Sequence, residues 1–78
     1  MLKELLLSLA RNLVDQPDEV QVDQREGADG LVIYELRVAP ADMGKVIGKQ
    51  GRIAKAIRTV MKAAAVKENK KVQVDIVD

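Results

Sequence analysis

Cysteine and histidine are both missing from these 78 residues, phenylalanine and tryptophan are missing too, and tyrosine occurs once, as Tyr34. Without cysteine there is neither a disulfide nor a thiolate nucleophile, and without histidine the commonest metal ligand and general base is gone. Most familiar enzyme plans are closed, so the chain is expected to be no enzyme and to need no cofactor or metal. A long apolar run is missing as well. The leucine-rich start, residues 1–14, is interrupted by Lys3, Glu4, Arg11 and Asn12, which argues against a membrane span and a signal peptide and for a cytoplasmic protein. A nucleotide-hydrolase loop fails on spacing: Gly44-Lys45-Val46-Ile47-Gly48-Lys49-Gln50 has three residues between its glycines, not four, and Gln50 where Ser or Thr must meet magnesium. The carboxylates Asp15, Asp18, Glu19 and Asp23 have no basic or nucleophilic partner pattern, and they read as solubility and edge protection.

The formal net charge of +1 conceals an uneven distribution. Residues 1–42 hold nine acidic and four basic side chains, whereas residues 43–71 hold nine basic ones and a single acid, Glu68. A basic half of this kind is the electrostatic footprint of a polyanion partner, which total charge would not have revealed.

The length suits one domain, 1–78. Leu2, Leu5, Leu6, Leu9 and Leu13 share one helical face, and the pattern ends near Asp15-Gln16-Pro17. Residues 20–25 then alternate, Glu26-Gly27-Ala28-Asp29-Gly30 carries turn chemistry, and residues 31–38 form a more continuously apolar run, which together predict a hairpin with a central second strand. Pro40 and Asp42 suit the first turn of a short helix with Met43, Val46 and Ile47 on its apolar side, stopped by Gly48. A longer helix is predicted from Arg52 to about Val66, with Ile57, Val60, Met61 and Ala64 in the core and Arg52, Lys55, Thr59 and Lys62 on the opposite side. A polar connection, Glu68-Asn69-Lys70-Lys71, leads to a final alternating strand, Val72 to Val77. The order αββααβ fits an α+β fold, a three-stranded mixed sheet with three helices on one face and the last strand parallel to residues 31–38. Tyr34, on a strand, reads as a packing residue.

The stretch Gly48-Lys49-Gln50-Gly51 joins the two helical segments. Glycine permits a left-handed turn and lets another backbone approach closely. The helix that follows begins with unpaired N–H groups at the positive end of its dipole, so an anion is the expected guest. Taken alone, Lys49-Gln50 fits an ordinary polar turn, and Arg52, Lys55, Arg58 and Lys62 fit a solvated helix face. The basic surroundings and the complete element order favour binding.

Within that order, Val46-Ile47-Gly48-Lys49-Gln50-Gly51 between two helices resembles a K-homology (KH) domain of the bacterial type II topology. The resemblance covers the whole chain, and a free-standing KH domain carrying Gly44-Lys45-Val46-Ile47-Gly48-Lys49-Gln50-Gly51-Arg52 is similar to small bacterial RNA-binding proteins. It implies a GxxG loop that clamps about four single-stranded nucleotides, with bases in an apolar groove alongside. Gly48 and Gly51 would give close approach, Lys49 and Gln50 would meet phosphate or sugar, and Arg52 and Lys55 would extend the charged wall. Lys45 and Ile47 join this RNA-binding set. The groove floor would draw on Val46, Ile47 and Ala54, where a larger aliphatic residue is usual, with Val72 to Val74 and the Glu68–Lys71 loop on its far side. With so few aromatic rings to stack on, affinity should be modest and base preference loose.

The resemblance further implies an RNA chaperone or post-transcriptional regulator, linked to cell shape and division, that forms a homodimer or joins a larger KH-bearing partner. A protein–protein assembly module with RNA binding secondary is the alternative. Its sequence support is apolar surface beyond one stripe: Leu7, Ala10 and Val14 on the first helix, and Ile53, an interface candidate, at the margin of the long one.

Overall fold

Leucines at helical spacing, followed by a proline, set the first element and its inner face. In a computed structural model, which describes residues 1–77 apart from the Lys49 side chain, helix α1 spans Leu2–Leu13 and buries Leu2, Leu6 and Ala10. Ala10 therefore belongs to the core and not to surplus surface, because it continues the four-residue spacing from Leu2 through Leu6. Leu7 and Val14 are half-buried against the same core.

A short turn at Pro17–Glu19 leads into strand β1, Gln21–Glu26, which runs antiparallel to β2, Leu31–Arg37. The hairpin closes through left-handed Asp29 (φ 56°) and Gly30 (φ 79°), and the Gly27 amide donates to the Leu31 carbonyl at 2.7 Å. The helical segment α2 covers Pro40–Lys67, and strand β3, Lys71–Ile76, returns parallel to β2. The sheet order is β1-β2-β3, with Tyr34 on the middle strand facing Gln24 on one side and Val74 on the other.

A straight helix of the 28 residues in α2 would be about 42 Å long at 1.5 Å per residue. The longest dimension of the molecule is 34 Å. Left-handed backbone at Gln50 (φ 62°) and Gly51 (φ 70°) breaks the run into a first limb, residues 40–49, and a second limb, residues 52–67. The αββααβ order thus holds, with the limbs as its second and third helices. The stop expected at Gly48 falls instead at Gln50 and Gly51. Gly48 keeps negative φ, and Gly51 takes the left-handed position for which a glycine just past a helix end is favoured.

All three helices cover one sheet face, where Val22, Tyr34, Leu36 and Val74 turn inward to meet Leu6, Val46, Ile57 and Met61. On the opposite face Arg25 pairs with Glu35 at 3.3 Å and Arg37 with Asp23 at 3.9 Å, and Ile33 is buried there. Tyr34 is a packing residue, as expected, and burial together with the Glu68 and Glu4 carboxylates pushes its hydroxyl above the usual tyrosine range. Val60, expected in the core, is 41% exposed. The buried line of the second limb runs through Ala54, Ile57, Met61 and Ala65, and Val60 sits about a quarter turn away from its centre at 100° per residue.

Candidate nucleic-acid interface

The first limb is anchored where it starts. Asp42, only 1% exposed, accepts hydrogen bonds from the backbone amides of Asp15 (3.1 Å) and Gln16 (3.0 Å), while its own amide donates to the Ala39 carbonyl at 2.8 Å. The carboxylate therefore fastens the end of α1 to the start of α2, with bonds of the charge-assisted kind. One turn on, the Lys45 ammonium lies 3.2 Å from Asp15 Oδ1 in an exposed pair. That contact turns Lys45 toward the α1 connection, outside the cleft described next.

From buried Val46 the chain passes to Ile47, which is 53% exposed, then through Gly48 and Lys49 to the left-handed corner. Left-handed backbone costs a side-chain-bearing residue about 1–2 kcal/mol, so Gln50 holds strain that glycine would not. Around the corner lies a cleft of about 330 Å³. Ile47, Gln50 and Gly51 form its near end, Ala54, Lys55 and Arg58 one wall, and Ile76 of β3 the other. Arg58 spans the gap, its Nε donating to the Val74 carbonyl at 3.1 Å. Past Arg58 a second hollow of about 240 Å³ continues between the same helix and strand, bordered by Met61, Lys62, Val72 and Gln73.

Five residues of the anticipated site are thereby brought together: Ile47, Gln50, Gly51, Lys55 and, as floor, Ala54. Gly48 is half-buried in the last turn of the first limb, beside the cleft but not in its lining, and Arg52 is exposed on the second limb, also off the lining. Val46, read as floor, is core at 1% exposure. Val72 and Val74 border the further hollow, and the Glu68–Lys71 loop borders neither. Ile53 is half-buried and packs against the core. The Lys49 side chain lies outside the described residues.

Ile76 is an addition that the sequence reading did not name, and Arg58, weighed there against a solvated helix face and left out of the RNA-binding set, joins the lining. The signal for Arg58 was its spacing, three residues after Lys55 and four before Lys62, which puts all three cations along one helix face. Among the described residues, none of Arg52, Lys55, Arg58 or Lys62 has an ion-pair partner, and neither hollow is lined by a carboxylate. The geometry is that of an apolar trough with an uncompensated cationic wall, suited to a ligand that is both anionic and partly apolar. No group of acidic side chains among the described residues could hold a metal ion, and no described helix is long and apolar enough to cross a membrane.

Residues 3–76 match the family model described as KhpA/KhpB, KH domain. The RNA-binding protein KhpA of Clostridium acetobutylicum is 66% identical over 76 residues, which cover 97% of this chain and 100% of that protein. The protein of the same name from Clostridium perfringens is 60% identical over 76 residues, with the same coverage. That of Chlamydia trachomatis is 46% identical over 77 residues, covering 99% of this chain and 97% of the relative. The family is non-enzymatic. A match of nearly full length, on a three-stranded mixed sheet with three helices on one face and a GxxG corner between two of them, places this chain in the KhpA/KhpB family of KH domains.

Proposed function

We propose that the chain is a cytoplasmic single-stranded RNA-binding protein that grips the RNA backbone at Gly48-Lys49-Gln50-Gly51 and lays the bases into the trough between α2 and β3. The observation that carries this reading is the meeting of the left-handed Gln50–Gly51 corner with a cleft walled by Lys55 and Arg58, which have no ion-pair partner among the described residues. At the corner the backbone is free of side-chain bulk at Gly51, where a Cβ would meet nothing within 4 Å, so a sugar-phosphate chain has room to approach. Apolar Ile47, Ala54 and Ile76 offer base edges a dry surface. Relatives named as RNA-binding proteins cover 97% of the chain, which supports the same ligand class. With no exposed aromatic ring, affinity is modest and suits an RNA chaperone or post-transcriptional regulator.

Assembly is the second part of the reading and comes with the family: a homodimer, or a heteromer with a KhpB-type KH protein, would raise the effective affinity of weak sites. Ile53 is packed against the core, while Ile47, Val60 and Val66 are the exposed large aliphatics of α2. Sedimentation of the wild type and Ile53→Asp, with circular dichroism as fold control, tests that residue's part in self-association.

Titration of short single-stranded RNA at several salt concentrations tests the grip itself. Three to four phosphate contacts give a log–log salt slope of about −2 to −3. Lys49→Asp combined with Gln50→Asp should abolish binding while the fold is retained, since Asp tolerates the left-handed region. Equal binding by the variant would overturn the loop reading, and a folded wild type that fails to bind would give the assembly role precedence.

A further inference from the structure

The trough between α2 and β3 is crossed at one point only among the described residues. Arg58 borders both hollows, and its Nε bond to the Val74 carbonyl at 3.1 Å fixes the guanidinium across the gap. On one side lie Ala54 and Ile76, on the other Met61 and Val72.

We propose that the Arg58 guanidinium is a stacking plate between two base subsites, each hollow taking one nucleobase of a single-stranded RNA. The proposal rests on the RNA-binding reading above and adds to it a residue, a second subsite and a mode of contact. A guanidinium is planar, delocalised and weakly hydrated, and it stacks on aromatic faces. Unpaired RNA bases stack on arginine planes as readily as on aromatic side chains. No aromatic ring competes for this part, because the one aromatic residue, Tyr34, is 4% exposed and packed in the core, and Arg58 is the one arginine among the residues that line the two hollows. The Nε edge is already occupied by Val74, which leaves the two flat faces and the far edge of the guanidinium for a ligand. Lys55 and Lys62, about one turn before and after Arg58, set an ammonium group beside each hollow for the flanking phosphates.

The test separates a plane from a charge. Wild type, Arg58→Lys and Arg58→Tyr are titrated with octa-adenylate RNA and with an abasic octamer of the same sugar-phosphate backbone. Loss of the plane in Arg58→Lys should weaken octa-adenylate binding about tenfold, the order of one stacked base, and leave the abasic octamer nearly unchanged. Arg58→Tyr should keep most of the octa-adenylate affinity with a salt slope shallower by about 0.7, one cationic contact fewer. The plate is refuted if Arg58→Lys binds octa-adenylate as the wild type does, or if it loses both RNAs alike, the pattern of a forked guanidinium–phosphate contact or a damaged fold. A wild type that binds neither RNA would bring down the single-strand reading itself, and the plate with it.

Discussion

Two corners of this molecule are built in the same way and sit in opposite settings. Asp29-Gly30 closes the hairpin and Gln50-Gly51 divides α2, each a polar residue followed by glycine with both φ values between 56° and 79°. In neither would a Cβ on the glycine meet another atom within 4 Å. The hairpin corner is cinched by the Gly27-to-Leu31 backbone bond, and the cations on the nearby sheet face, Arg25 and Arg37, are paired with Glu35 and Asp23. The other corner opens onto an apolar cleft whose cations, Lys55 and Arg58, have no ion-pair partner among the described residues. Left-handed backbone makes a tight turn; uncompensated charge beside an apolar trough is what makes one of the two turns a binding site.

The largest effect expected in breaking this comparison concerns the anchor of the basic corner. Asp42→Ala leaves the Asp15 and Gln16 amides without their acceptor, so unfolding by urea should show a loss of about 3 kcal/mol, at about 1–3 kcal/mol per unsatisfied group. Next come the two glycines. Gly30→Ala and Gly51→Ala should each cost about 1–2 kcal/mol, because the strain is conformational in both places. Only Gly51→Ala should also weaken RNA binding. Smaller still is the relief of strain at the partner residues: Gln50→Gly should stabilise by about 0.5–1 kcal/mol and Asp29→Gly by less, since Asp visits the left-handed region more readily. The smallest change is Arg25→Ala on the outer sheet face. It should shift stability by about 0.5 kcal/mol or less and leave RNA affinity unaltered, as an exposed ion pair contributes little.

Much of the architecture was legible because it rests on periodicity. Alternation in residues 20–25, turn chemistry at 26–30 and a continuously apolar run at 31–38 marked the hairpin, a helical crossover required the parallel last strand, and Tyr34 on a strand read as packing. What was not legible depends on rotation and on side-chain reach. Which residues of Gly48-Lys49-Gln50-Gly51 turn left-handed is not encoded by the glycines alone, since Gln50 turns and Gly48 does not. Val46 and Ile47 read alike, on the apolar side of their limb and as groove floor, yet Val46 is core and Ile47 half emerges into the cleft. Val60 and Ala10 were misplaced for the same reason, each judged from a stripe whose centre only packing defines. Asp42 reads as a dipole partner of its own helix, whereas its bonds go to Asp15 and Gln16, far away in sequence. Arg58 is indistinguishable from its cationic neighbours until Val74 is seen opposite it.

The most direct test of the central claim is a map of backbone amide shifts during titration of the wild type with octa-adenylate RNA. The account predicts that the largest changes cluster at residues 47–58 and 72–76 and that the Asp29-Gly30 corner and the outer sheet face stay silent. Changes centred on the hairpin corner, or on the Arg25 and Arg37 face, would contradict it.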